Sequence, residues 1–297
     1  MKISKIQGEL YAILSGLMYG LVGYFGSKIS VEIGIETMTF WRCLSSALVA
    51  LIMLIFWSKN YKCSFRELLI SFFAGFFFYG PSSIIYFYSS QHIGTGIAMT
   101  IFFIYPAFVI LLNRLIYGTK ASKNYYYAIL IIFIGMILLS DITELNFDIT
   151  GISLGVISAF CYAFYMIASS KVTHMDTIFA TAIISLGCSA SGLVTAFFDH
   201  KIVIPQTYDL WKNILLIASI CTAFPVILLQ HSMKYISATK ASILSVTEPI
   251  FVMIFGIILL GEKIHNIQII GIIIVLYGAI MSLLNKSETI KDEIKSP

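Results

Sequence analysis

Glu248 carries the clearest chemical potential in this chain. It lies ten residues into an apolar run that begins at position 238, about 15 Å along a helix at 1.5 Å per residue. A bare carboxylate that deep in hydrocarbon costs on the order of 2.5–3.5 kcal/mol by insertion scales, so it must be paired, hydrated or protonated. Pro249 follows it and, lacking an N–H, frees the carbonyl of Ser245 and kinks the helix. Two readings stay open: a carboxylate that contacts a solute or carries a proton in a central pathway, or a packing acid that steadies the kink. An offset of 143 residues places Tyr105 and Pro106 where Glu248 and Pro249 stand. Tyr105, beside a freed Phe102 carbonyl, is expected to face the same cavity.

Aromatic and hydroxyl residues supply the remaining candidates. Tyr19 and Tyr162 are partners at the same offset, each with an apolar ring and a polar tip that needs a hydrogen bond when buried. Tyr79 and Thr222 are partners too, just ahead of bends expected at Pro81 and Pro225. Such a lining suits amphipathic or cationic solutes, because ring faces attract cations. Plain packing and interfacial anchoring are the competing readings, and they weigh more for Tyr86, Tyr88 and Tyr165. Arg42 is the arginine set well inside an apolar run. It is open to three uses: pairing with Glu36, meeting an anionic solute group, or snorkelling to the interface. Gln230, His231 and Glu262 fall near the ends of apolar runs, where structural roles are expected.

The elements that must position these groups follow from composition and from a repeat. At 59% hydrophobic and 11% charged, with mean hydropathy +0.92, the 297-residue chain has too little polar surface for a water-soluble body. Continuous apolar runs of roughly 20 residues predict transmembrane helices and exclude a barrel. Ten spans are expected, at about 8–28, 38–57, 67–89, 95–117, 124–140, 150–171, 178–198, 210–232, 238–260 and 266–285. The offset of 143 also aligns Gly8, Ser15 and Lys28 with Gly151, Ser158 and Lys171, and Gly118 and Gly135 with Gly261 and Gly278, without a gap. The expected domains are therefore a five-helix repeat at 8–140, a second at 151–285, and a cytoplasmic tail at 286–297.

Fourteen basic residues fall on the side of the termini and four on the other, which predicts both termini in the cytoplasm. An odd number of spans per repeat forces the second copy to enter from the opposite face. The fold class is thus an all-α integral membrane protein, ten transmembrane helices as two inverted five-helix repeats. Inverted repeats place a shared site near the midplane and suit a carrier with alternating access.

The stretch from Ile236 to Leu284, with Ala238, Ala241, Glu248, Pro249, Gly261, Glu262, Gly271 and Gly278, resembles the drug/metabolite transporter superfamily, in particular its EamA-type members. The first copy keeps Ala98, Pro106, Gly118 and Gly135 but has Tyr105 and Thr119 in place of the two acids. The resemblance implies ten helices in two repeats and movement of small metabolites; members of the superfamily carry amino acids, nucleotide sugars, S-adenosylmethionine and quaternary cations.

Absences narrow the mechanism. No GxxxxGK[ST], HExxH or GxSxG occurs, so neither nucleotide hydrolysis nor an embedded hydrolase is expected. Cys43, Cys63, Cys161, Cys188 and Cys221 are scattered, which predicts neither a disulfide framework nor a metal site. No cofactor and no nucleic acid are expected, since the +4 net charge is mostly topology signal. The expected activity is non-enzymatic. It is secondary transport of a small organic metabolite, an amino acid or a similar amphipathic or cationic solute, across the cytoplasmic (bacterial inner) membrane, with export in exchange for protons foremost. Uptake, or an uncoupled pore or scaffold, is the alternative. The expected partners are the metabolite, protons and the lipid bilayer, with the protein a monomer or homodimer.

Overall fold

The computed structural model describes residues 2–57, 64–119, 121–139, 148–199, 202–260 and 265–284. The first half holds α1 (Lys2–Tyr19), α2 (Val22–Ile33), α3 (Ile35–Trp57), α4 (Phe65–Phe73), α5 (Gly80–Ile93), α6 (Thr95–Phe102), α7 (Tyr105–Tyr117) and α8 (Lys123–Leu139). The second holds α9 (Ile149–Ser170), α10 (Thr177–Phe198), α11 (Tyr208–Ala218), α12 (Phe224–Ser232), α13 (Ala238–Ser245), α14 (Glu248–Phe255) and α15 (Asn266–Leu283). Among the described residues eight helical passages are long and apolar enough to cross a membrane. The other two of the ten expected spans fall short of that measure. The first is divided at Gly20–Leu21 into α1 and α2, and α1 carries Lys2, Lys5 and Glu9; the fifth, α8, is 17 residues long. The expected tail, Cys63, Gly261, Glu262 and Lys263 lie outside the described residues.

Each half packs against the other reciprocally. The most extensive contacts join α3 to α10, α8 to α15, α5 to α9 and α1 to α12, all between halves. The first two pairs are repeat partners, and the last two exchange under the 143-residue offset. Individual bonds obey the same exchange: Ser15 Oγ donates to the Pro225 carbonyl at 2.8 Å, and its partner Ser158 donates to the Ser82 carbonyl at 2.7 Å. Along α10, Ser185, Cys188 and Gly192 meet Ser46, Cys43 and Phe40 of α3, so the numbering runs in opposite directions. Repeat partners are therefore antiparallel, and the two-fold that relates the halves is perpendicular to the helices. The repeats are inverted.

Small residues permit this approach. A methyl group on Gly75 would sit 2.1 Å from the Ile184 carbonyl oxygen, and one on Gly187 would sit 2.1 Å from that of Phe72. Without a hydrophobic force between helices in lipid, such close backbone contact is what association rests on. Gly135 and Gly278 repeat the device where α8 meets α15, each against the other helix's backbone. Large apolar side chains such as Leu130, Ile273 and Phe198 are exposed, as a lipid-facing shell requires.

The end of the bundle that bears the amino terminus is stitched by polar contacts. Lys240, fully buried, bonds Glu9 and reaches the Leu283 carbonyl at 3.3 Å. The Glu67 carboxylate accepts the backbone N–H groups of Thr173, His174 and Met175 at 2.8–3.0 Å, and Lys234 donates to the Met175 carbonyl at 2.8 Å. At the opposite end Asp148 caps α9. The Thr150 backbone N–H and His92 hold its carboxyl below the usual aspartate range.

Gly75→Ala and Gly187→Ala should each lower stability by about 1–3 kcal/mol, the usual cost of overpacking. Thermal unfolding in detergent reads this directly, and unchanged melting for both variants would contradict the close contact.

Candidate functional site

Two proline breaks at equivalent places shape the centre. The passage made of α6 and α7 is interrupted between Phe102 and Tyr105, and that made of α13 and α14 between Ser245 and Glu248. At each interruption the chain tightens to three-residue bonds: Ile104 N to the Ile101 carbonyl at 3.1 Å, and Thr247 N to the Leu244 carbonyl at 3.2 Å. Pro106 and Pro249 cannot donate the bonds that would continue the helix. Glu248 thereby becomes the first residue of α14, where the helix dipole favours a negative charge. Gly16 on α1 and Gly20 just past its end allow close approach here; a methyl on Gly16 would lie 3.3 Å from the Glu248 backbone nitrogen.

Pro81 and Pro225 act differently. Wide π-helical turns at Ala74–Tyr79 and Ser219–Ala223 precede them, so the helix passes through instead of breaking. The Thr222 hydroxyl donates to the Ile217 carbonyl at 2.9 Å inside the second of these turns.

A cavity of about 100 Å³ lies where these elements meet. Tyr19, Arg42, Tyr79, Tyr162 and Glu248, all anticipated from sequence, line it. Most of the wall comes from the first half, and it runs to exposed Thr95 at the end away from the amino terminus. Arg42 Nη2 donates to Ser83 Oγ at 2.6 Å, while its buried Nε has no partner among the described residues. Glu36 is instead bonded by Tyr88, so pairing with Glu36, one of the three uses open to Arg42, is not formed. No described side chain bonds or pairs with the Glu248 carboxylate. The cavity thus holds an arginine and a carboxyl group that form no ion pair with each other.

Tyrosine rings form its floor. Tyr19 and Tyr79 hydroxyls are 3.4 Å apart, Tyr79 stacks on Tyr165 at 4.8 Å, and Tyr162 packs edge-on against Tyr105 at 4.7 Å. Tyr105 and Thr222 are not on the wall. Tyr105 is buried behind Tyr162 with its hydroxyl on the Ser242 carbonyl at 3.1 Å, and Thr222 is spent on its own helix. The equivalence that suggested them holds in sequence, but the cavity occupies only one side of the two-fold.

Ser82, Ser83, Tyr86, Thr95, Met99 and Phe102 also line the cavity, and sequence reasoning missed them or ranked them low. A signal was there: Tyr79, Ser83 and Tyr86, and then Thr95, Met99 and Phe102, recur at helical spacing and make one face each. His231 packs edge-on against Tyr11 at 4.8 Å, away from the cavity wall. Cys43 and Cys188, scattered in sequence, bring their sulfurs within 2.8 Å across α3 and α10 as free thiols. No group of three metal-ligating side chains occurs among the described residues.

The EamA-like transporter family matches residues 6–141 and again 149–284, one match to each half. The chain belongs to the EamA-like transporter family. Its curated relatives agree. An uncharacterized transporter of Archaeoglobus fulgidus is 26% identical over 191 residues, spanning 63% of this chain and 67% of that protein. The uncharacterized transporter YxxF of Bacillus subtilis is 22% identical over 95% of this chain and 91% of its own length. One solved crystal structure superposes with a TM-score of 0.79 at 13% identity, covering 93% of this chain and 96% of that one, a likeness of fold alone.

For an EamA-like transporter, a multi-pass membrane protein that moves small solutes, the unpaired charges are the notable feature of the cavity. Neither Arg42 nor Glu248 is held by an ion pair among the described residues, and Arg42 donates to Ser83. Arg42→Met and Glu248→Gln should leave the melting temperature in detergent within about 4 °C of the parent, or raise it. A large drop in either variant would show that the charge serves the fold instead of a solute.

Proposed function

We propose that the chain is a secondary carrier for a small zwitterionic or cationic organic metabolite, of amino-acid size, which it exports across the cytoplasmic membrane in exchange for protons. The supporting observation is the pair of opposite, unneutralised charges, Arg42 and Glu248, on one cavity wall. A solute bearing an ammonium group satisfies Glu248, a carboxylate on the same solute satisfies the free Arg42 Nε, and the tyrosine faces add cation–π attraction. Arg42 keeps its charge at any physiological pH, so Glu248 is the group that takes up and releases a proton.

The basic-residue bias assigns the stitched end to the cytoplasm, with both termini there, and so turns the cavity mouth outward. Protonation of Glu248 from outside cancels the charge that holds the solute and frees it. The proton then crosses with the emptied site, leaves on the cytoplasmic side, and the carboxylate takes the next solute. One proton moves inward for each solute moved outward. In this reading two five-helix repeats, 8–140 and 151–285, form one working unit, as a monomer or a homodimer.

Proteoliposomes loaded with the pH dye pyranine and offered each of the common amino acids in turn test the reading. At least one should show saturable, trans-stimulated exchange accompanied by proton movement, and Glu248→Gln should abolish the proton signal. A pore would give flux without trans-stimulation, and an unaltered pH profile in Glu248→Gln would remove that residue from coupling.

A further inference from the structure

Among the described residues Cys43, Cys161, Cys188 and Cys221 are free thiols. Cys43 on α3 and Cys188 on α10 are the two whose sulfurs meet, at 2.8 Å, and both are fully buried. Under the 143-residue offset Cys43 falls on Leu186 and Cys188 on Ser45, so packing of the repeat does not itself require sulfur at either place.

The pair occupies a special position in the fold. Ser46 meets Ser185 and Cys43 meets Cys188 with the numbering running oppositely, so the register of α3 on α10 passes through Leu44 and Gly187. Leu44 and Gly187 are themselves partners at the 143-residue offset. The thiols therefore sit one residue from the two-fold that relates the halves. Close contacts hold the two helices on either side of them: the Ser46 and Ser185 hydroxyl oxygens are 3.1 Å apart, and a methyl on Gly192 would lie 2.7 Å from the Phe40 backbone nitrogen. A disulfide needs its sulfurs at about 2.05 Å. Starting from the observed contact, that asks for an approach of under about 1 Å, within reach of side-chain rotation alone.

Reactive thiols combine nearby positive charge with access from solvent, and buried structural ones lack both. Here the Arg42 guanidinium lies within electrostatic reach of both sulfurs, and so does Tyr79. Arg42 and Tyr79 line the central cavity, which places the thiols one layer behind its wall. Hydrogen peroxide is a neutral molecule little larger than water, and a cavity of about 100 Å³ admits it.

We propose that Cys43 and Cys188 form an oxidation site at which a peroxide closes a disulfide, stapling α3 to α10 across the two-fold. Cys43, next to Arg42 in the chain, attacks one peroxide oxygen. The O–O bond breaks, and the departing hydroxide takes the thiol proton to leave as water, giving a sulfenic acid on Cys43. The Cys188 sulfur then attacks the Cys43 sulfur, the S–O bond breaks, and a second water leaves with the Cys188 proton. Two thiols are oxidised by two electrons and one peroxide is reduced to two waters. The bond fastens α3, and Arg42 with it, to the other half of the molecule. The site is independent of the solute that the carrier moves.

The full chain in detergent, treated with a small molar excess of hydrogen peroxide, tests the proposal. Alkylation of the denatured chain and peptide mass spectrometry should find Cys43 and Cys188 joined to each other, with Cys161 and Cys221 still alkylated. Dithiothreitol should restore alkylation at both joined positions. Because the bond spans a separation of 145 residues, it should raise the melting temperature by about 5 °C or more. That rise should vanish on reduction and be absent from Cys43→Ser and from Cys188→Ser, whose melting under reducing conditions checks that they fold as the parent does. Cys43 and Cys188 remaining separately alkylated, or passing to sulfinic acid without joining, would overturn the proposal. So would a joined pair that leaves melting unchanged, or an equal rise in the serine variants.

Discussion

Everything in this molecule depends on two antiparallel copies of one helical unit approaching closely enough for backbone to touch backbone. Lipid tails are as apolar as leucine, so helices in a bilayer are not driven together by exclusion from water. Contact must come from shape, and here it comes from glycines placed reciprocally: Gly75 and Gly187 against carbonyls of the facing helix, Gly135 and Gly278 where the last helices of each half cross. The serine pair Ser15 and Ser158 adds one bond in each direction across the same two-fold. These contacts put the proline breaks between α6 and α7 and between α13 and α14 at the centre, and the second break delivers Glu248 to the head of α14.

The central charges make sense only against the solvent that surrounds them. A carboxylate at membrane depth is tolerated when a partner, water or a proton is at hand. Glu248 has a helix terminus behind it and a cavity before it, while Arg42 on the same cavity donates to Ser83. Charge that is buried but left uncommitted favours whatever bridges it. The tightly bonded charges Lys240, Glu9 and Glu67 lie instead at one end of the bundle, where they fasten helices. The same residue types thus serve the fold at the end and remain available at the centre.

Much of this was legible in the residues. The constant offset gave the repeat because Gly, Pro and Tyr matches are not produced by greasiness alone, and the apolar runs gave most helix limits within a few residues. Glu248, Arg42, Tyr19, Tyr79 and Tyr162 were reached by asking which polar groups sit too deep to be idle. Tyr105 and Thr222 were expected on the wall for a sound reason, symmetry, yet the cavity occupies only one side of the two-fold. Ser83 and Thr95 could have been read from the helical stripe that carries Tyr79 and Tyr86. The approach of Cys43 to Cys188 was invisible, since nothing in a separation of 145 residues indicates which helices touch.

The account stands on the two ends of the bundle opening in opposition. Spin labels at Val31 and Thr95 report the end of the bundle away from the amino terminus, and labels at His174 and Tyr235 report the end that bears it. Pulsed electron–electron distance measurements on both pairs, across pH and with amino acids added, report each end in the same membrane. The account requires two populations at each end, with the long distance at one end rising as the long distance at the other falls. A single unchanging distance at both ends, or both ends widening together, would contradict it.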